Sequence, residues 1–169
     1  MKNQLIVLFI TLLTSTPLIV VAQENASLQG IRVECLGVEH DGSQTLRVQG
    51  TGRNRADALE QAKKNAVVAV LFNGVRGGLE GCDKRPLLSE ANAREKYSLY
   101  FDIFFMDRGE YTKFVSLEDE RPHSRKKKDG KVQKTYIMTI RVLRSQLADL
   151  LRNDGILTPN KNDIENTIK

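Results

Sequence analysis

The spacing of hydrophobic and polar positions changes along the chain, and each change marks an element. Ile31, Val33 and Cys35 alternate with Arg32 and Glu34, which predicts a first strand through about Val38. His40-Asp-Gly-Ser43 reads as a turn, with Asp-Gly its strongest part. Leu46, Val48 and Gly50 then alternate with Arg47 and Gln49, giving a second half-buried strand that pairs with the first as a hairpin. From Ala56 the period lengthens to that of a helix. Leu59, Ala62, Ala66 and Val70 fall on one face, and Asp57, Glu60, Gln61 and Lys64 on the other. Asn54 is placed to cap this helix, Glu60 to pair with Lys64 one turn on, and Asn73-Gly74 to stop it. Between strand and helix, Gly50 and Gly52 predict a tight structural turn, with backbone angles or close approaches that a side chain would block.

The glycine-rich stretch Val75–Leu88, with Cys82 and Pro86, breaks the pattern. It reads either as a pinned crossover or as a recognition loop offering Arg76, Lys84 and Arg85 to an anion. A second helix is predicted from Ser89, as cap, to about Met106. Its aromatic stripe of Tyr97, Tyr100, Phe101, Phe104 and Phe105 is assigned to the core. Tyr111 to Leu117 reads as a third strand. Glu118 to Lys131 reads as a polar connection holding the run Arg125, Lys126, Lys127, Lys128. That run is either a solvated hairpin tip or a contact to anionic lipid or envelope polymer, where several cations act together. Tyr136, Met138, Ile140 and Val142 alternate with Ile137, Thr139 and Arg141, a fourth strand antiparallel to the third. Ser145 caps a last helix bearing Leu147, Leu150 and Leu151, which stops near Gly155. The predicted order is ββ-α-α-ββ-α. It is an α+β fold, with an antiparallel sheet of about four strands and helices packed on one face.

The N-terminus predicts an address. Met1-Lys-Asn-Gln4 is followed by a nearly continuous apolar run, Leu5 to Val21, and then by Val-Val-Ala22 before the chain turns polar. This is the pattern of a secretory signal peptide cleaved after Ala22. The run also approaches the length of a membrane anchor. The expected organisation is a signal peptide over 1–22, a polar lead over 23–30, one domain over 31–157 and a polar tail over 158–169. Export predicts a periplasmic or outer-membrane-associated protein. In that oxidising setting Cys35 and Cys82 are candidates for a disulfide, while the strand position of Cys35 equally suits a buried thiol.

Composition adds limits. With 169 residues, 40% hydrophobic and 28% charged, the chain has the makings of one globular domain. Its formal charge of +5 reads as mild and scattered and implies no nucleic-acid partner. The two histidines, His40 and His123, and two distant cysteines form no metal-ligand spacing. Gly50-Thr-Gly52 follows a strand and opens a helix, as a dinucleotide fingerprint does, but the third glycine position holds Arg55. No nucleophile elbow or zinc-protease motif is present, and no catalytic, cofactor or metal residues are assigned. Three readings follow. The first is a non-enzymatic envelope assembly or scaffolding module working through protein contacts. The second is a basic module binding anionic envelope lipid or polymer. The third is a small hydrolase whose carboxylates the sequence does not pair.

The run Val48-x-Gly50-x-Gly52, followed by Ala56, Ala58, Ala62 and Ala66, resembles the strand, turn and alanine-helix signature of the small envelope domain of LPP-type bacterial lipoproteins. It is also similar to the amino-terminal domain of the flagellar assembly protein FlgT. The resemblance covers about residues 31–75. It implies an exported α+β module, without catalytic activity, that takes part in envelope or appendage assembly with a protein partner. The lipoprotein members carry a lipidated cysteine after the signal. This chain has none there, so the resemblance implies no lipid anchor.

Overall fold

The second strand is the axis of the molecule, because a helix and two other strands lie against it. The computed structural model describes residues 33–78, 81–128 and 131–158, with backbone only for 120–128 and 131–133. All of them belong to one compact unit, Ile31–Lys169. The expected signal peptide, polar lead and residues 159–169 of the tail lie outside the described residues.

Strands β1 (Glu34–Val38), β2 (Gln44–Gly52), β3 (Val115–Lys128) and β4 (Lys131–Val142) form one antiparallel sheet in the order β1-β2-β4-β3. The register sets Leu46 opposite Ile140 and Val48 opposite Met138, and these four are fully buried. Period-two alternation sends their neighbours to the other face, where Arg47 and Gln49 are exposed. That open face is laced by ion pairs from Arg47 to Glu34 (2.8 Å) and from Arg141 to Glu118 (3.5 Å). The helices cover the apolar face, so the α+β class and the antiparallel four-stranded sheet hold as predicted.

Helix α1 (Arg55–Val68) begins where Asn54 accepts a hydrogen bond from the Asp57 amide, 2.9 Å. It continues through a π-helical turn, Ala69–Asn73, to Gly74, whose φ of 72° ends it. Ala62, Ala66 and Val70 are buried as predicted, joined by Ala58 and Asn65, while Leu59 is only partly buried. The reason is the glycine pair. Gly50 lies inside β2 and Gly52 is its last residue, and neither has a positive φ. A Cβ at Gly50 would overlap the Ala58 carbonyl and lie 2.8 Å from the Ala62 Cβ; one at Gly52 would lie 2.6 Å from the Asp57 Cβ. Their use is close approach, and the smallest helix face meets them. Asn65, buried among alanines, donates to the Gln49 carbonyl at 3.0 Å and accepts from Gln61 at 2.9 Å, so its amide is satisfied while it ties α1 to β2.

Four other boundaries move. The predicted Ser89–Met106 helix is two short helices, α2 (Ala93–Lys96) and α3 (Ser98–Phe104), because Asn92 is left-handed (φ 63°) and Tyr97 breaks the helical geometry. Tyr111 lies in a 3-10 turn, Glu110–Phe114, rather than in a strand. Strand β3 starts at Val115 and runs on through the supposed loop to Lys128. The last helix, α4 (Arg144–Asn153), has Leu143 at its N-cap, and Ser145 lies inside its first turn. Leu147 and Leu151 of α4 close the core with Val142, Phe114 and Phe101.

Candidate functional site

The sequence offers two groups of basic residues, and the fold keeps them apart. The first sits on the crossover after α1. Cys35 and Cys82 are joined by a disulfide, with a Cα–Cα distance of 6.4 Å. Gly78 bridges to Cys35, the Arg76 amide donates to the Val33 carbonyl and the Val75 amide to the Lys84 carbonyl. The amides of Leu87 and Leu88 donate to the carbonyls of Val70 and Leu71, meeting acceptors that the end of a helix leaves open. The crossover is therefore pinned at both ends. Arg76, Lys84 and Arg85 are exposed on it, and Arg85 approaches Asp83 at 3.7 Å.

A part-buried polar knot, in which buried Arg144 and Gln44 meet exposed Asp83, lies beneath this crossover and has no counterpart in the sequence pattern. Arg144 Nη2 donates to Asp83 Oδ2 (3.0 Å) and to the Arg85 carbonyl (2.9 Å), and Gln44 Nε2 donates to the Asp83 carbonyl (3.0 Å). Burial pulls the Arg144 guanidinium below its ordinary range, and the Asp83 carboxylate opposes that pull. No local signal announces the pair, since 61 residues separate Arg144 from Asp83.

The second basic group lies at the far end of the sheet. β2 accompanies β4 only as far as Gly52 opposite Lys134. Beyond that point β3 and β4 continue as a two-stranded ribbon, with Arg125 opposite Lys134, Lys126 opposite Gln133, Lys127 opposite Val132 and Lys128 opposite Lys131. The Gln44 end of β2, which holds the crossover, faces Val142 of β4. Lys131 is about 36 Å from Val142 along the strand at ~3.3 Å per residue. The two basic groups thus form no common surface.

The charge is concentrated rather than scattered. The chain carries 26 Lys and Arg against 21 Asp and Glu. Residues 121–134 hold seven of the cations and one acid, leaving 19 cations against 20 acids, a net −1, for everything else. The whole positive balance resides in the ribbon and its approach. Along the outer edge, Pro122 has no amide hydrogen to offer, and the pairing shifts between Leu117 and Asp119 and between Pro122 and Ser124. Proline, bulges and lysines are the devices that keep an edge from adding another strand.

A third cluster is structural in form. The Tyr111 hydroxyl donates to Glu60, Lys63 lies 3.3 Å from the same carboxylate, and Lys64 reaches Asp107 at 3.0 Å instead of pairing with Glu60 as predicted. Burial alone would push the Glu60 carboxyl up, but the Tyr111 hydroxyl with Lys63 and Lys64 outweighs it, and the net shift is down. Burial, and then the Glu60 carboxylate, raise the Tyr111 phenol. The aromatic stripe splits. Phe101 and Phe104 are buried, with Phe101 edge-on to Phe72 at 4.8 Å. On the outside of α3 and just beyond it, Leu99, Ile103 and Met106 are 80%, 68% and 56% exposed, an apolar row outside the aromatic stripe.

Among the described residues, no group of three or more His, Cys, Asp or Glu is arranged to hold a metal ion, and no helix is long and apolar enough to cross a membrane. No family model, curated protein or solved structure matches this chain.

Proposed function

We propose that this chain is an exported cell-envelope module that acts by binding rather than by catalysis, and that the β3–β4 ribbon is its working element, directed at an anionic envelope lipid or polymer. The observation that carries this reading is the partition of charge. Residues 121–134, the ribbon and its approach, carry a net +6, and the rest of the sequence carries a net −1. Concentrated cations raise the local density of anionic partners far more than the same charges dispersed. The protected edge of β3 argues against recognition through backbone strand addition and in favour of side-chain charge. The disulfide is in keeping with an oxidising compartment, as the signal-peptide pattern is. The likeness to the small envelope domain of LPP-type lipoproteins and of FlgT lends the same support over residues 31–75.

Replacing Lys126, Lys127 and Lys128 together with glutamine tests the reading. Each lysine near an anionic surface contributes about 1 kcal/mol, so affinity for isolated envelope material should fall roughly 100-fold. The matched triple Arg76→Gln, Lys84→Gln, Arg85→Gln should leave it close to wild type. Equal retention of wild type and the ribbon triple in low salt would refute the proposal.

A second reading, an assembly or scaffolding module that holds an envelope protein partner, is favoured by the row Leu99, Ile103, Met106. Three large apolar side chains in water, mounted on a packed aromatic layer, form the type of surface that protein contacts use.

A further inference from the structure

The binding reading leaves open whether the ribbon meets a flat bilayer or a chain-like anion, and its register distinguishes them. In an antiparallel pair, directly opposed residues share a face, and the next pair along belongs to the other face. Arg125, Lys134 and Lys127, with Val132, therefore belong to one face of the ribbon. Lys126, Lys128 and Lys131, with Gln133, belong to the other. Each face carries three cations, and among the described residues no other strand flanks the ribbon past Lys134.

A ribbon meant for a bilayer has reason to be one-sided. A planar surface touches one face, and cations on the other gain little beyond a Debye length of about 8 Å. Interfacial elements also place apolar residues beside their cations, whereas this stretch offers only Val132. The two-sided arrangement carries a cost as well. Arg125 stands opposite Lys134, and Lys128 opposite Lys131, and like charges at directly opposed positions repel. Closely spaced anions placed around both faces relieve that repulsion, and a flexible polymer can supply them where a plane cannot.

We propose that the β3–β4 ribbon binds a linear polyanion, a flexible chain of closely spaced phosphate or carboxylate groups, which engages both of its faces. This rests on the anionic-partner reading above and narrows it to a polymer. Binding displaces condensed counterions, so the affinity depends on salt in proportion to the number of contacts made.

The test uses the purified protein with inorganic polyphosphate, with polyglutamate, and with vesicles of phosphatidylglycerol mixed into phosphatidylcholine. Two variants each neutralise one face: Arg125→Gln/Lys127→Gln/Lys134→Gln, and Lys126→Gln/Lys128→Gln/Lys131→Gln. Circular dichroism and melting midpoints establish that both fold. Affinity for at least one polymer should exceed that for vesicles, and a plot of log affinity against log salt should have a slope of roughly −4, at about 0.7 per contact for six contacts. Each variant should bring that slope to roughly −2. Polyphosphate preferred over polyglutamate would identify phosphate as the recognised group, and the reverse preference carboxylate; either supports the proposal. Tight binding to vesicles with weak binding to both polymers would overturn the polymer inference and leave the anionic-partner reading standing. Loss confined to one face variant would overturn it too. Binding to none of the three probes would overturn both.

Discussion

Substituting Gly50 by alanine tests the packing on which the fold depends. The added methyl would lie 2.8 Å from the Ala62 Cβ and inside the Ala58 carbonyl oxygen. Carbon atoms in good contact sit about 3.5–4.0 Å apart, so α1 has to rise about 1 Å from β2. The obstruction at Ala58 is backbone, and no rotamer change clears it. Overpacking of this type costs about 1–3 kcal/mol. The Asn65–Gln49 hydrogen bond, 3.0 Å long, would stretch with the helix and forfeit about 1 kcal/mol more. We expect a total near 3 kcal/mol and a melting midpoint lower by about 10 °C. Gly37→Ala is the control. It also lies in a strand, with nothing within 4 Å of the added Cβ and no left-handed backbone angle, so its effect should stay within about 0.5 kcal/mol. Equilibrium urea unfolding followed by far-UV circular dichroism compares the two. Adding Ala62→Gly to Gly50→Ala should recover only part of the loss, since the Ala58 carbonyl remains. If Gly50→Ala and Gly37→Ala prove equally stable, the close approach of α1 to β2 does not exist as described.

Two further outcomes follow from the same structure. The disulfide spans 47 residues, and closing a loop of that size restricts the unfolded chain by about 4 kcal/mol in the entropic account. The double variant Cys35→Ala/Cys82→Ala should lose up to that amount in denaturant titration, and wild type assayed in excess reductant should fall to the same level. An unchanged midpoint on reduction would mean that the crossover is held without it. Glu60 has a folded pKa depressed below its ordinary 4.5. It therefore contributes stability above about pH 4.5, and that contribution is lost as pH falls through the lower folded value. Tyr111→Phe removes the donor while leaving the burial, so an NMR titration of the Glu60 carboxyl should shift upward; an unmoved midpoint would assign the depression to the lysines alone.

Much of the architecture is local and could be read from the chain. Alternation at Leu46/Val48 and at Met138/Ile140/Val142 reports which face of a strand is dry, because side chains alternate across a sheet whatever it pairs with. Asn54 and Gly74 mark the ends of the α1 and π-turn run through capping chemistry that involves only nearby backbone. The basic run was equally visible as residues, but whether it is a loop tip or a strand is decided elsewhere. Lys126 to Lys128 extend because β4 runs opposite them, and propensity did not announce a strand of lysines. The buried face of α1 holds Ala62 and Ala66 as its periodicity indicates, but Ala58 takes the place of Leu59, for a related reason. Hydrophobicity favours Leu59, yet the glycines of β2 admit only the thinnest side of the helix, and that is Ala58 and Ala62.

The sequence by itself determined the α+β class, the hairpins and the residues that could carry charge, since these depend on periodicity and composition. Tertiary structure alone decided that Asp83 meets Arg144 beneath the crossover, that Arg76, Lys84 and Arg85 are kept far from the lysine run, and that cations occupy both faces of the β3–β4 ribbon. Those outcomes depend on strand order and register, set by long-range pairing between segments that carry no local mark of their partners.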